Sequence, residues 1–411
     1  MTRASSPFAI VAGLLLGACA ASPDRPIPAP ESPAPVASDV ATPVTLSVFD
    51  RPAGWIAADG AATIDLGDGR VLWTFGDTLI GSLKPDGRAA EGCTMVNNTF
   101  ALSTRAPDAM DFRWTRRTDG SHASWVQSPA QLGPADAAHW LWPTGGGIRV
   151  QRESGDHVVL FFSMLRKARA EGTPADVWNF ALHGTATVTV LNPADPSGEW
   201  RTEVGPLVDR QAEIDAGERV RLISWGTAVV SDPDDAARCI VYGVDVTDVK
   251  NKRLVVARAP AATLERMDTW EFRTGAGWSP AEAESAPLGD QLMDEFSVHR
   301  QHLGGTDLYV LVYMEPHFGP RIMARTAERP DGPWGPPTPI YTCPEPSQDA
   351  RTFVYSARAH PELGGGPESG ELLVTYCVNS TDFWYMLSHA TLYRPRFVRV
   401  PLNVLRHAQT P

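Results

Sequence analysis

Two aspartates flank one hairpin. Asp59 sits in "WIAADGAATIDLGDGR" (55–70) and Asp77 in "RVLWTFGDTLIG" (70–81), on either side of the turn Gly67-Asp68-Gly69. Three residues with glycine available for positive φ form a hairpin turn. If Leu66 pairs with Arg70, equal steps along both arms bring Asp59 opposite Asp77. Opposed residues of an antiparallel pair have Cβ atoms about 4.5–5.5 Å apart and share a face, where like charges are destabilising. Either the strand ends splay apart or the proximity has a chemical use. Two neighbouring carboxylates drive their pKa values apart, leaving one acid and one base near neutrality. That is the minimum equipment for cleaving a glycosidic bond. A structural account also exists: Gly76-Asp77-Thr78 suits a strand end, and Asp59-Gly60 is a common turn pair.

The elements that must position this pair recur along the chain. Five apolar strands stand out: "VLWTFGD" (71–77), "HVVLFFSM" (157–164), "CIVYGVDV" (239–246), "LYVLVYME" (308–315) and "ELLVTYCVN" (371–379). Their centres are spaced by roughly 65 to 85 residues, which is a repeat period. Before each comes a stretch of small and polar residues: "AADGAATIDL", "WPTGGGIRV", "SWGTAVV", "EFSVHRQHL" and "YSARAHPEL". After each comes a third candidate strand: "NTFALST", "WNFALHG", "RLVVARAP", "RIMARTA" and "YMLSHATLY". An aromatic-bearing fourth segment closes each unit: "FRWTRR", "EWRTEV", "TWEFRT", "GPWGPP" and "PRFVRV". Five quartets of short antiparallel strands predict an all-β fold, a five-bladed β-propeller. Innermost strands crowd together and need small side chains; second strands, buried on both faces, run nearly all-apolar. A β-sandwich does not predict five matched quartets. Residues 44 to 50, "VTLSVFD", are a candidate closing strand for the last unit.

Several segments carry a family resemblance: "DGRVLWTFGDTLIG" (68–81), "MVNNTF" (95–100), "SARAHPEL" (356–363) and "YRPRFVRV" (393–400). They resemble a bacterial propeller group known as a domain of unknown function and related to glycoside hydrolase family 183, the endo-D-arabinanases. More loosely, the chain is similar to five-bladed furanosidases acting on arabinans and fructans. The resemblance spans nearly all of residues 45 to 400. It implies that an upstream aspartate and the aspartate of Phe-Gly-Asp-Thr are the catalytic pair, here Asp59 and Asp77. It also implies that a structural calcium ion can sit in the central channel, although no EF-hand-like or His/Cys ligand spacing occurs here.

Other residues are candidates for the same mouth. In "MDEFSVHR", Glu295 is a candidate general acid brought from another unit, with Asp294 and His299 beside it; a solvated loop acid is the plainer account. Asn97 and Asn98 suit hydrogen bonds to sugar hydroxyls or a turn. Trp55 and Trp142 are candidate platforms for a furanose ring or buried packing residues. Arg358 and His360 bring polarity to the innermost strand of the fifth unit. Gly145-Gly146-Gly147 and Gly364-Gly365-Gly366 lack the strand–loop–helix context of phosphate cradles, and no Gly-x-Ser-x-Gly elbow occurs.

The totals set outer bounds. The 411 residues carry 43% hydrophobic and 20% charged residues and a formal net charge of −12. That balance excludes a nucleic-acid surface, which needs clustered Lys and Arg. The first residues read as an address: Arg3, the apolar "FAIVAGLLLGA", then Cys19 after Leu16-Gly17-Ala18. Leu-Gly-Ala-Cys resembles a bacterial lipobox, which implies acylation at Cys19, and Ala20 after it resembles outer-membrane sorting; an ordinary secretory signal cut after a small residue is the plainer account. The expected organisation is a signal over 1–19, a Pro/Ala/Ser tether over 20–43 and a propeller over 44–403. Cys93, Cys239, Cys343 and Cys377 show no zinc or redox spacing, so buried free thiols are expected as readily as disulfides. The reading is a lipid-anchored glycoside hydrolase of the cell envelope, acting on a furanose-containing or other polysaccharide. Its rival is a non-catalytic propeller that binds carbohydrate or a partner.

Overall fold

The computed structural model describes residues 41–128, 139–168, 179–303, 305–363 and 369–405. Cys19, the signal, most of the tether and Gly364-Gly365-Gly366 lie outside the described residues. Among the described residues the fold is all-β, with three short α-helices.

Among the described residues there are seven antiparallel sheets: a three-stranded one (Ala53–Ala58, Thr78–Ser82 and Thr94–Val96), a two-stranded one (Thr115–Arg116 and His122–Ala123), and five larger ones that follow in chain order. The first of the five holds Ala62–Asp65, Arg70–Phe75, Thr99–Thr104 and Asp111–Arg113. The second holds His139–Arg152, Gly155–Lys167, Phe180–Val190 and Thr202–Asp209. The third runs Ile223–Ser231, Arg238–Asp245, Arg253–Pro260 and Glu271–Arg273, and adds a fifth strand, Trp278–Ser279. The fourth holds Phe296–Leu303, Thr306–Met314, Arg321–Ala327 and Thr338–Thr342.

The fifth sheet departs from the expected quartet. Thr352–Ala359 and Glu371–Ser380 are its first two strands, but "YMLSHATLY" is not the third. That segment belongs to a helix, Phe383–Ser388, and a 3-10 turn, Ala390–Tyr393. Asp382 explains the helix: its carboxylate accepts from the backbone N–H groups of Trp384 (2.9 Å) and Tyr385 (3.1 Å), and no β-branched residue follows within the helix. The third strand is Arg396–Pro401. The fourth comes from the other end of the chain, Thr42–Val44, with Thr42 opposite Arg399 and Val44 opposite Phe397. The closing strand therefore begins inside the segment expected to be tether, and Ser47–Phe49 forms a 3-10 turn instead. In the fourth sheet, "GPWGPP" precedes the last strand rather than forming it, because its prolines lack ladder donors.

The second strands are buried on both faces, as their apolar runs predict: Val71, Leu72 and Trp73 are fully enclosed, as are Val158, Val159 and Phe161. The first strands lie against one another from sheet to sheet. Between the fifth sheet and the first, His360 Nδ1 meets Thr63 Oγ1 at 2.6 Å. The four cysteines described are buried free thiols.

Candidate active site

The first hairpin keeps one register from its turn out to Ala57 opposite Leu79, beyond which it slips by one residue. Leu66 N donates to Arg70 O, Asp65 pairs with Val71 and Ala62 with Thr74. Beyond a break in the sheet, Ala58 pairs with Thr78. Between these, Asp59 N donates to Asp77 O at 3.3 Å and Gly76 N to Asp59 O at 3.0 Å. The two aspartates thus stand opposite each other, as equal steps from the turn require.

Their side chains meet different partners. Asp59 Oδ2 accepts from Tyr355 Oη at 2.8 Å and Tyr393 Oη at 2.5 Å. Asp77 Oδ1 accepts from Trp142 Nε1 at 2.8 Å and Asn97 Nδ2 at 3.3 Å, while its Oδ2 is buried without a hydrogen bond among the described residues. Burial pushes both carboxyls above the ordinary carboxylate range. Asp77 is pushed further, because the Asp59 charge adds to burial, whereas two hydroxyls ease Asp59. The two carboxyls titrate as a pair, and burial beside each other is what holds both up.

Glu295 completes the group. It faces the same small cleft as Asp59, with Trp142, Thr144, Ser163, Phe180, Ser224 and Tyr355 among the lining residues. The cleft holds about 70 Å³ of free space. Burial raises the Glu295 carboxyl to about 7, assisted by the Asp59 charge and opposed by Arg358, whose Nη2 lies 3.7 Å from Oε1. Next to it, Asp294 is paired with the buried Lys252 ammonium. A carboxylate and a protonated carboxylic acid thus share one cleft near neutral pH, the pattern used for acid–base chemistry.

A match over residues 46–403 assigns the chain to a domain of unknown function, DUF5005. The chain belongs to the DUF5005 family. No curated protein sequence matches it. Among solved structures, this DUF5005 chain is similar to a "putative hydrolase" from Bacteroides ovatus, at 19% identity and a TM-score of 0.68, over 89% of this chain and 91% of that one. That likeness is one of fold. Two more distant structures are the catalytic domain of a GH62 alpha-L-arabinofuranosidase from Coprinopsis cinerea and an exo-beta-1,3-galactanase from Phanerochaete chrysosporium. The first is 12% identical with a TM-score of 0.43, over 90% of this chain and 98% of that one. The second is 13% identical with a TM-score of 0.44, over 87% and 64%.

The remaining candidates divide sharply in the DUF5005 chain. Trp142 lines the cleft, and Asn97 supports Asp77. Trp55 is fully buried against Phe49, Phe75 and Phe112 and offers no face to a sugar. Asn98 is also buried; it bridges the carbonyls of Val126 and Leu141, a structural tie. Arg358 is a buried strut between sheets that also lines a larger cavity with His299. From the fifth sheet it donates to the carbonyls of Thr144 (2.6 Å), Thr227 (3.4 Å) and Phe296 (2.6 Å) on three other sheets. Its guanidinium occupies the space a Cβ at Gly145 would fill, which accounts for one glycine of the Gly145-Gly146-Gly147 run. His360 is locked between Thr63 Oγ1 and Thr375 Oγ1 (2.7 Å) and stacked on Trp73; burial lowers its pKa to about 3. His299 lines a different cavity, of about 950 Å³, formed by the later residues of the same first strands. There burial lowers its pKa to about 4.

Tyr355 and Tyr393 were missed from sequence. Their signal was adjacency alone: Tyr393 heads "YRPRFVRV" and Tyr355 immediately precedes "SARAHPEL".

Proposed function

We propose that the chain is a five-bladed propeller glycoside hydrolase in which Asp59 and Glu295 perform the chemistry. The observation that carries this is the shared cleft: an aspartate held ionised by two tyrosyl hydroxyls faces a glutamic acid whose pKa is about 7. Glu295 donates its proton to the leaving glycosidic oxygen. Asp59 stabilises the developing positive charge at the anomeric carbon and acts as base toward water or as nucleophile. Asp77, whose carboxyl is pushed up by burial and by the Asp59 charge, is braced beside the pair by Trp142 and Asn97. In this reading the five larger sheets are the blades, and the first strands surround the centre.

The substrate we favour is a furanose-containing, arabinan-like envelope polysaccharide, from the looser similarity of residues 45 to 400 to five-bladed furanosidases; the "TFGDT" motif (74–78) marks the group and names no sugar. Lipid anchoring at Cys19, with outer-membrane sorting, is part of the same proposal. Loss of membrane fractionation in Cys19→Ser, with folding intact, is its expected signature. Calcium is not part of it: the carbonyls of Thr144, Thr227 and Phe296 at the centre already receive the Arg358 guanidinium, so a cation occupies that place.

The test is hydrolysis by the body from Thr42 onward, screened on arabinan, arabinogalactan and fructan. Asp59→Asn should lose about 100- to 10,000-fold in rate. Glu295→Gln should lose as much on polysaccharide but much less on a p-nitrophenyl glycoside, whose leaving group needs no proton. Glycan binding without release of reducing ends would favour the non-catalytic rival.

A further inference from the structure

Four left-handed residues lie on or beside the first strands where these crowd together: Gly60 (φ 66°), Gly145 (φ 95°), Gly226 (φ 77°) and Ser356 (φ 55°). They share one level. Arg358 donates to the carbonyls of Thr144 and Thr227, next to Gly145 and Gly226, and a Cβ at Gly60 would lie 3.8 Å from Glu295 Oε1. Three are glycines, as this backbone region favours. At Gly145 and Gly226 a side chain would also collide, with Arg358 and Phe161 respectively. The fourth is a serine.

Ser356 bears two penalties at once. Its backbone is in the region that costs an L-residue energy, and its hydroxyl is buried without an aligned hydrogen bond among the described residues. Glycine would remove both. Strain kept at such a position points to a use. The surroundings indicate which. The register slips between Tyr355 and Arg358, so that Tyr355 reaches Asp59 and Arg358 reaches Glu295. The Ser356 hydroxyl lies beside the Glu295 carboxyl, whose Oε2 is likewise buried without an aligned donor.

We propose that Ser356 is a positioning residue for Glu295: its strained backbone holds a hydroxyl ready to donate to that carboxyl as it becomes charged. While Glu295 is protonated, the hydroxyl has little to stabilise. When Glu295 passes its proton to the leaving oxygen, the new carboxylate accepts from Ser356, which keeps its own proton. An interaction stronger in the transition state than before it accelerates the step. The other groups facing Glu295 are Arg358, Asp59, Asp294, Tyr355 and Cys377; Asp294 is already committed to Lys252. In keeping with this, the Ser356 hydroxyl lowers the burial-raised Glu295 pKa, as a donor to the charged form does.

The inference rests on reading Glu295 as the acid, but its test does not require a substrate. In protein labelled with ¹³C at the glutamate carboxyls, Glu295 is assigned by its disappearance in Glu295→Gln and titrated in the wild type, Ser356→Gly and Ser356→Ala. Both serine variants should raise the Glu295 pKa by about half a unit or more, since each loses the hydroxyl. Ser356→Gly should also keep or raise the melting temperature, so a poorly folding alanine variant leaves the test intact. An unshifted Glu295 in the glycine variant overturns the inference and leaves the hydrolase reading standing. Failure of every glycan screen does the reverse.

Discussion

The Asp59 carboxylate occupies the space that a Cβ on Gly76 would fill. The glycine of Phe75-Gly76-Asp77-Thr78 is thus explained by a residue on the opposite strand. Gly76 has no left-handed φ, so replacing it tests space alone. Gly76→Ala should displace the Asp59 carboxylate from its two tyrosines and cost at least tenfold in kcat/KM, with a melting temperature lowered by a few degrees. Wild-type kinetics in this variant would show that the Asp59 position is irrelevant to activity.

The pH dependence should be bell-shaped. Asp59 must be ionised, so activity falls as pH drops through its raised pKa. Glu295 must be protonated, so activity falls as pH rises through about 7. The optimum then lies slightly on the acid side of neutrality. A kcat/KM profile that stays flat to pH 9 would remove Glu295 from the acid role.

Stability should carry its own pH signature. Burial pushes the Glu362 carboxyl up to about 7, and Thr63 only partly offsets this. The folded state therefore binds more protons than the unfolded state between the unfolded pKa, about 4.3, and 7. Its contribution is complete below that window and is lost as pH rises through it. Glu362→Gln should accordingly gain on the wild type between pH 5 and pH 8, by on the order of 1 kcal/mol. Thermal melts at the two pH values measure it, and an equal difference at both would contradict the assignment.

Trp55 and Trp142 should behave in opposite ways. Trp55→Ala opens a cavity among Phe49, Phe75 and Phe112 and should cost about 3–5 kcal/mol in denaturant unfolding. Trp142→Phe keeps an aromatic wall but removes the donor to Asp77. It should leave the melting temperature nearly unchanged and lower kcat/KM about tenfold, the equivalent of one modest hydrogen bond. A KM effect confined to Trp55 would reverse the assignment.

What the sequence by itself determined is mostly local. The turn at Gly67-Asp68-Gly69 and the period of two carry Asp59 to Asp77 without help from the rest of the chain, because hairpin register is set by the turn. The second strands were legible because burial on both faces demands continuous apolar runs. The rest depended on packing across hundreds of residues. No periodicity links Tyr393 to Asp59, 334 positions apart, or places Arg358 against Thr144. The same holds for the ends of the fifth sheet. Thr42–Val44 pairs with Arg396–Pro401 only because the chain returns to its start, while Asp382 caps a helix where strand spacing predicted a third strand. Histidine and tryptophan carried least of their roles in sequence. Whether His360 or Trp55 faces a cleft or a core is decided by what packs on both sides of a strand, and only the tertiary structure supplies that.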